Sequence, residues 1–509
     1  MHSHSQDGLK IALISIHGLI RGTNLELGRD ADTGGQTKYV VELAKALGKR
    51  TGVAKVELFT RRIADPNIDE EYASATEQLS DNVQIVRIGC GPEEYLPKEM
   101  LWDHLDSFAD NLLDYFRQRE CMPDVLHGHY ADAGYVGMRL SHTTGLPLVF
   151  TGHSLGRDKR KRLMAAGMKP NALNKRYNIK RRIEAEEETL ATASLVITST
   201  HQEISEQYEM YDYYKPCSMA VVPPGTDLEL FHPPELGETP ANIAHSIRRF
   251  LDEPEKPMIL ALSRPDPRKN IATLIHAYGK SKALQDIANL VIIAGNRGDI
   301  RKMDDGAQEV LTDVLILLDV YDLYGKVAFP KKHLSTEVPA IYRMGASSRG
   351  VFVNPALTEP FGLTLLEAAA SGLPFIATEN GGPVDIVKNC QCGILVDPIN
   401  ANDIATALKT LLLEEETWRQ HSANGLKNVA RKYSWDSHAK QYLKKIKPII
   451  AAHEPVEYSP AIIKASRRVD RLIITDLDKT LLSNPQGLKE FIALLTEKRK
   501  ECAFGIATA

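Results

Sequence analysis

Short apolar runs alternate with amphipathic segments along almost the whole chain. Ile11–Ile16 reads as a buried strand, and a polar loop from Gly18 to Thr33 leads to Gly34-Gly35, which opens a helix through Lys49. Lys55–Thr60 and Val83–Ile88 are strand-like, Asp103–Arg119 is helical, and Asp124–His129, Pro147–Gly152 and Leu195–Thr200 are further strands. Arg181–Thr192 reads as a charged helix, and Val221-Val222-Pro223-Pro224-Gly225 closes this series. A second series of strands follows at Met258–Ser263, Leu290–Ala294, Lys326–Phe329, Val351–Asn354, Pro374–Thr378 and Gly393–Val396, with helix-like segments between them. Strands alternating with helices imply parallel sheets covered on both faces. Two separate series predict an α/β protein of two doubly wound domains facing each other across a cleft. The first spans residues 1–232 and the second 233–433, with the Pro- and Glu-bearing segment Pro233–Pro257 as the link. After helices at Asn402–Leu413 and Glu416–Lys432, residues 434–455 form a terminal helix that packs back on the first domain.

The stretch Glu359-Pro360-Phe361-Gly362-Leu363-Thr364-Leu365-Leu366-Glu367 carries the most chemistry. It follows a strand, turns at Pro360 and Gly362, and becomes helical from Leu363, because Leu and Ala are strong helix formers. One carboxylate therefore lies on the strand-to-helix turn and the other about one turn inside the helix. The unpaired N–H groups at such a helix start suit a phosphate. Glutamate near a helix start also simply complements the dipole. What favours a ligand is the next segment, where Asn380-Gly381-Gly382-Pro383 makes a second Gly-bearing strand-to-helix turn. Two such turns side by side make a phosphate crevice, and a nucleotide sugar offers both phosphates and hydroxyls.

Arg264, Arg268 and Lys269 follow the first strand of the same domain, where cations neutralise a diphosphate without a metal, and Asn270 is placed to cap the next helix. In the first domain Gly34-Gly35-Gln36 permits close backbone approach to a ligand, with Asp32 or Thr33 as helix cap or hydroxyl partner. His153, in Thr151-Gly152-His153-Ser154-Leu155-Gly156, points into the cleft; His127 and His129 end a strand and stay without a role. A basic set comprises Lys98, Arg157, Lys159, Arg176, Lys180, Arg181 and Arg182. Pairing of Arg181 and Arg182 with Glu184–Glu188 on a solvated helix accounts for part of it. Lys98 and Lys159 are not accounted for in that way, and converging cations suit a phosphorylated acceptor.

Composition narrows the class. The chain has 509 residues, a net charge of −4, 43% hydrophobic and 25% charged residues, as in ordinary soluble protein. This charge argues against nucleic acid and against an anionic membrane surface. Six cysteines with no Cys-x-x-Cys pair argue against structural zinc and for reduced thiols in a cytoplasmic protein. No apolar run reaches transmembrane length, and no signal-peptide pattern opens the chain.

A third unit starts near Arg471. The strand Leu472-Ile473-Ile474-Thr475 ends in Asp476-Leu477-Asp478-Lys479-Thr480, which resembles the first motif of haloacid-dehalogenase-like (HAD-like) phosphatases. In that resemblance Asp476 is the nucleophile and Asp478 the general acid. Residues 470–509 are too few for a complete domain of this kind, so the segment reads as its incomplete start, and Mg2+ would belong only to an intact one.

Taken together, the motifs resemble those of the sucrose-phosphate synthases, retaining glycosyltransferases of the GT-B fold with two Rossmann-like domains. The resemblance covers about residues 10–450. It rests on Asp32-Thr33-Gly34-Gly35-Gln36, Thr151–Arg157, Arg181–Glu187, Arg264–Asn270, Glu359–Ala368 and Asn380–Pro383. It implies transfer of glucose from UDP-glucose to fructose 6-phosphate with retention, although the residues alone do not separate UDP- from ADP-glucose. The catalytic residues it implies are His153, Arg264, Lys269 and Glu359. The donor would be held by Gly34, Gly35, Arg264, Lys269, Glu359, Phe361, Gly362, Leu363, Thr364 and Glu367. The acceptor would be held by Gln36, Lys98 and Lys159, with the choice between Arg181 and Arg182 open. It implies no metal and no cofactor for the transfer, UDP-glucose being a substrate. A sucrose-phosphate phosphatase is the protein partner to expect. The rival readings are sucrose synthase, which uses free fructose, and a sugar-phosphate phosphatase acting through Asp476 and Asp478.

Overall fold

A computed structural model describes residues 8–26, 29–30, 32–119, 121–165, 167–235, 242–453, 471–476, 485–497 and 502–507. The apolar runs become the strands of two sheets. The first sheet contains β1 (Leu9–Ile14), β2 (Val53–Arg61), β3 (Thr76–Ser80), β4 (Val83–Ile88), β5 (Val125–His129), β6 (Leu148–Thr151), β7 (Leu195–Thr198) and β8 (Met219–Val221). Its order is β3-β4-β2-β1-β5-β6-β7-β8. β1 is central, with Ile11 in register with Val56 of β2 and Val125 of β5, both pairings parallel. The chain builds outward on one side of β1 and then returns to β5 on the other, so the order reverses between β1 and β5. Ligands of open α/β sheets bind outside the carboxyl ends of the strands at such a point.

The second sheet contains β9 (Met258–Ser263), β10 (Asn289–Ala294), β11 (Val327–Ala328), β12 (Val351–Asn354), β13 (Phe375–Thr378) and β14 (Gly393–Val396), ordered β11-β10-β9-β12-β13-β14. Alternate residues of a strand point to opposite faces, and here each face has its own core. Ile259, Ala261, Leu290 and Ile292 pack on one side with the helices at Ile271–Gly279, Asp305–Val320 and Ala401–Leu413. Met258, Leu260, Val291 and Ile293 pack on the other with those at Val338–Ser347, Leu363–Ala370 and Pro383–Cys390. Both faces being apolar is why these strands read as continuous runs.

Three local features differ from the expectation. β3 is an antiparallel edge strand with alternating exposure, and its polar sequence Thr76-Glu77-Gln78-Leu79-Ser80 hides it. A helix at Tyr130–Thr144 contains Gly134 and Gly137, whose propensity argues against helix. They are there for packing: a Cβ on Gly134 would sit 2.8 Å from the Phe150 ring, and one on Gly137 2.7 Å from Leu148. A short helix at Asn242–Arg248 lies inside the segment read as a link, and its Ile243 and Ile247 join the second core.

The terminal helix spans Trp435–Ala452. Beyond it, β15 (Arg471–Asp476) and β16 (Cys502–Ala507) pair in parallel around a helix at Pro485–Glu497. This single βαβ unit does not by itself assign phosphatase chemistry, and Asp478 lies outside the described residues. Among the described residues no helix is long and apolar enough to cross a membrane.

Candidate functional site

In the second unit, the loops after β9, β12 and β13 carry the predicted donor residues. Glu359 sits on the turn after β12, and Glu367 lies within the helix Leu363–Ala370, whose start at Gly362 has no side-chain cap. The two Gly-bearing turns are laced together. Glu359 N–H donates to Asn380 O at 3.0 Å, and Gly382 N–H donates back to Glu359 O at 2.9 Å. Gly381 has φ of 113°, and a Cβ there would overlap the backbone oxygen of Glu359. Replacing Gly381 with Ala should therefore cost about 1–3 kcal/mol of backbone strain and lower Tm by several degrees. A melting curve identical to the parent's would show that the turns separate freely.

The Glu359 carboxylate is already engaged. Its Oε2 accepts from Lys269 Nζ at 2.6 Å and from Asn354 Nδ2 at 3.0 Å. Arg268 is tied to Asp266, through Nε at 3.0 Å, and this guanidinium holds the Asp266 carboxyl down to about 2. Arg264 is exposed, and its guanidinium makes no hydrogen bond or ion pair among the described residues, although its charge adds to Arg268's in lowering Asp266. Of the three cations in this loop, Arg264 is thus the one available to an incoming anion, with Lys269 available by exchange from Glu359.

Asn270 stands at the N-cap position of the following helix, but its side chain makes no capping bond. It is left-handed, at φ of 53°, and its amide donates to Pro355 O at 2.9 Å and Pro398 O at 2.7 Å while its oxygen accepts from the Thr273 hydroxyl. It pins together the loops after β9, β12 and β14. Glu367 accepts from the buried Tyr342 hydroxyl at 3.3 Å, and burial keeps that phenol un-ionised. Phe361, Thr364 and the exposed Leu363 line the same turn.

In the first unit, Gly34 and Gly35 stand at the start of the helix Gly35–Gly48, and a Cβ on either would meet nothing within 4 Å. Packing therefore does not demand these glycines, whereas the approach of a ligand backbone-close would. Neither Asp32 nor Thr33 caps the helix. The Thr33 hydroxyl accepts from Leu19 N–H at 3.2 Å, and Asp32, buried, pairs with Lys98 through both its backbone N–H and its ammonium. Gln36 is tied to Ser15 Oγ at 3.1 Å and His129 O at 3.3 Å.

His153 adopts φ of 54°, in the left-handed region that is unusual for a non-glycine residue. Its Nε2 lies 3.0 Å from His129 Nδ1, one ring donating and the other accepting. Tyr39 packs edge-on at 4.9 Å. Burial, and after it the neighbouring His17, holds His153 down to about 3. It is a neutral imidazole at physiological pH, able to hydrogen-bond a sugar hydroxyl without a counter-charge.

Arg182 is buried rather than solvated. It donates to Glu186 Oε1 at 2.9 Å and to Ser154 O at 2.6 Å, and lies 4.4 Å over the Tyr130 ring. Glu186, fully buried, also accepts from Gly156 N–H and the Tyr211 hydroxyl. The pair thereby clamps the loop that carries His153. Arg181 is bound to Asp103 and to Trp102 O. Lys159 makes no ion pair among the described residues; its ammonium lies 3.9 Å over the Tyr177 ring. Burial, then the Arg182 charge, lowers it to about 8. Sequence reasoning missed Tyr130, a non-glycine at φ of 77° directly after the strand-ending His129, and it missed His17 and Asp132. Among the described residues no cluster of His, Cys, Asp and Glu is grouped to hold a metal.

Comparisons with known proteins agree with this architecture. Residues 33–230 match the family described as Glycosyltransferase Family 4, and residues 244–428 match Glycosyl transferases group 1. A probable sucrose-phosphate synthase of Solanum tuberosum is 46% identical over 498 residues, covering 86% of this chain and 47% of that protein. This chain thus spans about half the length of that relative. The solved sucrose-phosphate synthase of Thermosynechococcus elongatus superposes with a TM-score of 0.64 at 26% identity, over 87% of this chain and all of its own. Anabaena HepE, solved with UDP and glucose, superposes with a TM-score of 0.57 at 16% identity over 86% of this chain and all of its own, a likeness of fold alone. The fold is GT-B.

Proposed function

We propose that this chain of GT-B fold transfers glucose from UDP-glucose to fructose 6-phosphate with retention, giving sucrose 6-phosphate and UDP. The observation that carries the phosphorylated acceptor is Lys159, a half-buried ammonium in no ion pair among the described residues, close to the charge of Arg182. Arg182 is matched by Glu186, but Lys159 stands beside it in no ion pair of its own among the described residues, and such an ammonium favours an anionic ligand, because Lys and Arg bind phosphate well. The sequence similarity to sucrose-phosphate synthases supports the same reading.

On the donor side, Arg264 and Lys269 neutralise the diphosphate. Glu359 and His153 hold glucose hydroxyls, and Glu367 holds the ribose. The bond from the anomeric carbon to the UDP oxygen breaks with oxocarbenium character, and the cations stabilise the departing diphosphate. The acceptor hydroxyl attacks on the same face and passes its proton to the departing phosphate oxygen. No metal is needed for charge neutralisation in this scheme. A cytoplasmic location belongs to the same reading, supported by five free cysteines among the described residues.

The test is product analysis with a panel of sugar nucleotides against fructose and fructose 6-phosphate. Preference for free fructose would replace this reading with a sucrose synthase, and phosphate release alone would replace it with a phosphatase. Within the panel, Lys159→Ala should raise KM for fructose 6-phosphate by roughly 10- to 100-fold, the value of one charge-assisted hydrogen bond, and leave the UDP-glucose KM unchanged. The sign of the pH effect follows from the lowered Lys159: its cation is present below about pH 8 and lost above. The parent's kcat/KM for fructose 6-phosphate should therefore fall as pH rises through about 8. A flat profile there would remove Lys159 from phosphate binding.

A further inference from the structure

The carboxyl ends of the three neighbouring strands β1, β5 and β6 each present an imidazole: His17, His129 and His153. His129 and His153 hydrogen-bond to one another. His17 instead has its own anion, with Nδ1 2.7 Å from Asp132 Oδ2. Both members are buried, at 5% and 1% exposure. A buried carboxylate needs compensation. Asp132 gains it from His17, from the N–H of Ala133 at 2.7 Å and from its place in the first turn of the helix Tyr130–Thr144. Beside His17 stands Tyr130, held at φ of 77° and packed edge-on to it with ring centres 4.6 Å apart.

We propose that Asp132 is a positioning residue of the transfer site: by accepting the Nδ1–H of His17, it fixes that imidazole so that Nε2 is the atom offered to a bound sugar. The proposal rests on the functional reading above. The physical reason is tautomeric. A neutral imidazole has one N–H, and the hydrogen bond made by one nitrogen decides what the other can do. With Asp132 in place, Nδ1 is always the donor, and His17 Nε2, which has no partner among the described residues, is left for the ligand. The location agrees, because β1 and β5 flank the point where the strand order reverses. A pair serving only the core would need no alignment with the His129–His153 row and no strained tyrosine beside it.

Asp132→Asn keeps shape and removes the obligatory acceptor. It should lower kcat by about 10- to 100-fold, the usual cost of losing a group that orients a functional histidine, with KM for either substrate and Tm little changed. A His17→Gln variant should lose a similar factor, and the double variant should be no slower than His17→Gln alone, since Asp132 acts through His17. Losses that multiply in the double variant would overturn the proposal, as would Asp132→Asn with parental kcat. Selective 15N labelling of histidine adds a readout independent of substrate. The signal lost in His17→Gln should report an Nδ1-protonated ring in the parent and shift in Asp132→Asn. An unchanged tautomer overturns the proposal. If the parent turns over no pair in the panel, the functional reading fails, and this spectrum alone decides the dyad.

Discussion

Replacing Lys269 with Ala should lower turnover by on the order of 100-fold or more, the size of effect seen when one charge-stabilising group is lost from a transition state. Two consequences of the substitution act together. The departing diphosphate loses a cation, and Glu359 loses the ammonium 2.6 Å from its Oε2, keeping only the Asn354 amide. A carboxylate left with one neutral donor repels an incoming diphosphate. Arg264→Ala should show a loss of similar size without the second effect, because Arg264 forms no ion pair among the described residues and Asp266 keeps Arg268. The two variants therefore separate the contributions. Lys269→Ala should also raise KM for the sugar nucleotide, and a Lys269→Ala, Glu359→Gln double variant should recover part of that KM. The measurement is steady-state kinetics with the donor varied. Near-normal turnover in both single variants would remove the loop after β9 from the chemistry.

Arg182→Ala should be the most destabilising single change in the first unit. It leaves the fully buried Glu186 without its cation, strips two hydrogen bonds from Ser154 and removes the guanidinium from the Tyr130 ring. Removing one partner of a buried ion pair costs about 3–5 kcal/mol, which for a unit of this size lowers Tm by roughly 10 °C. Activity lost in this variant would not identify a phosphate ligand, because the loop carrying His153 hangs from the same pair through Gly156 and Ser154. Arg182→Ala paired with Glu186→Ala isolates the cause: the double variant should be more stable than Arg182→Ala, since no buried charge remains. Thermal and urea unfolding check both statements. Parental stability of Arg182→Ala would mean that Glu186 is already compensated by Tyr211 and Gly156 alone.

Much of the fold was legible because its signals are local. Two-sided burial makes strands such as Val351–Asn354 continuous apolar runs, and positive φ confines the turns at Gly362 and Gly381 to glycine. Those glycines mark the two turns on which the proposed donor residues sit. Other elements were hidden where tertiary packing overrode propensity. The helix Tyr130–Thr144 tolerates Gly134 and Gly137 because Phe150 and Leu148 need the space.

The sequence by itself determined the layered α/β design, the strand-end positions of the site residues and the family that they resemble. Which charges are available was settled by packing in three dimensions. Lys98 and Lys159 look alike along the chain, yet Lys98 is bound to Asp32 while Lys159 lies over the Tyr177 ring and makes no ion pair among the described residues. Arg264 and Arg268 are four positions apart, yet Arg268 is committed to Asp266. His17 and Asp132 are 115 residues apart and bonded. Local patterns encode backbone conformation because a strand or a turn is a property of a few successive residues. The state of a charge depends on what burial brings within about 3 Å of it, and that distance is set by the packing of segments remote in sequence.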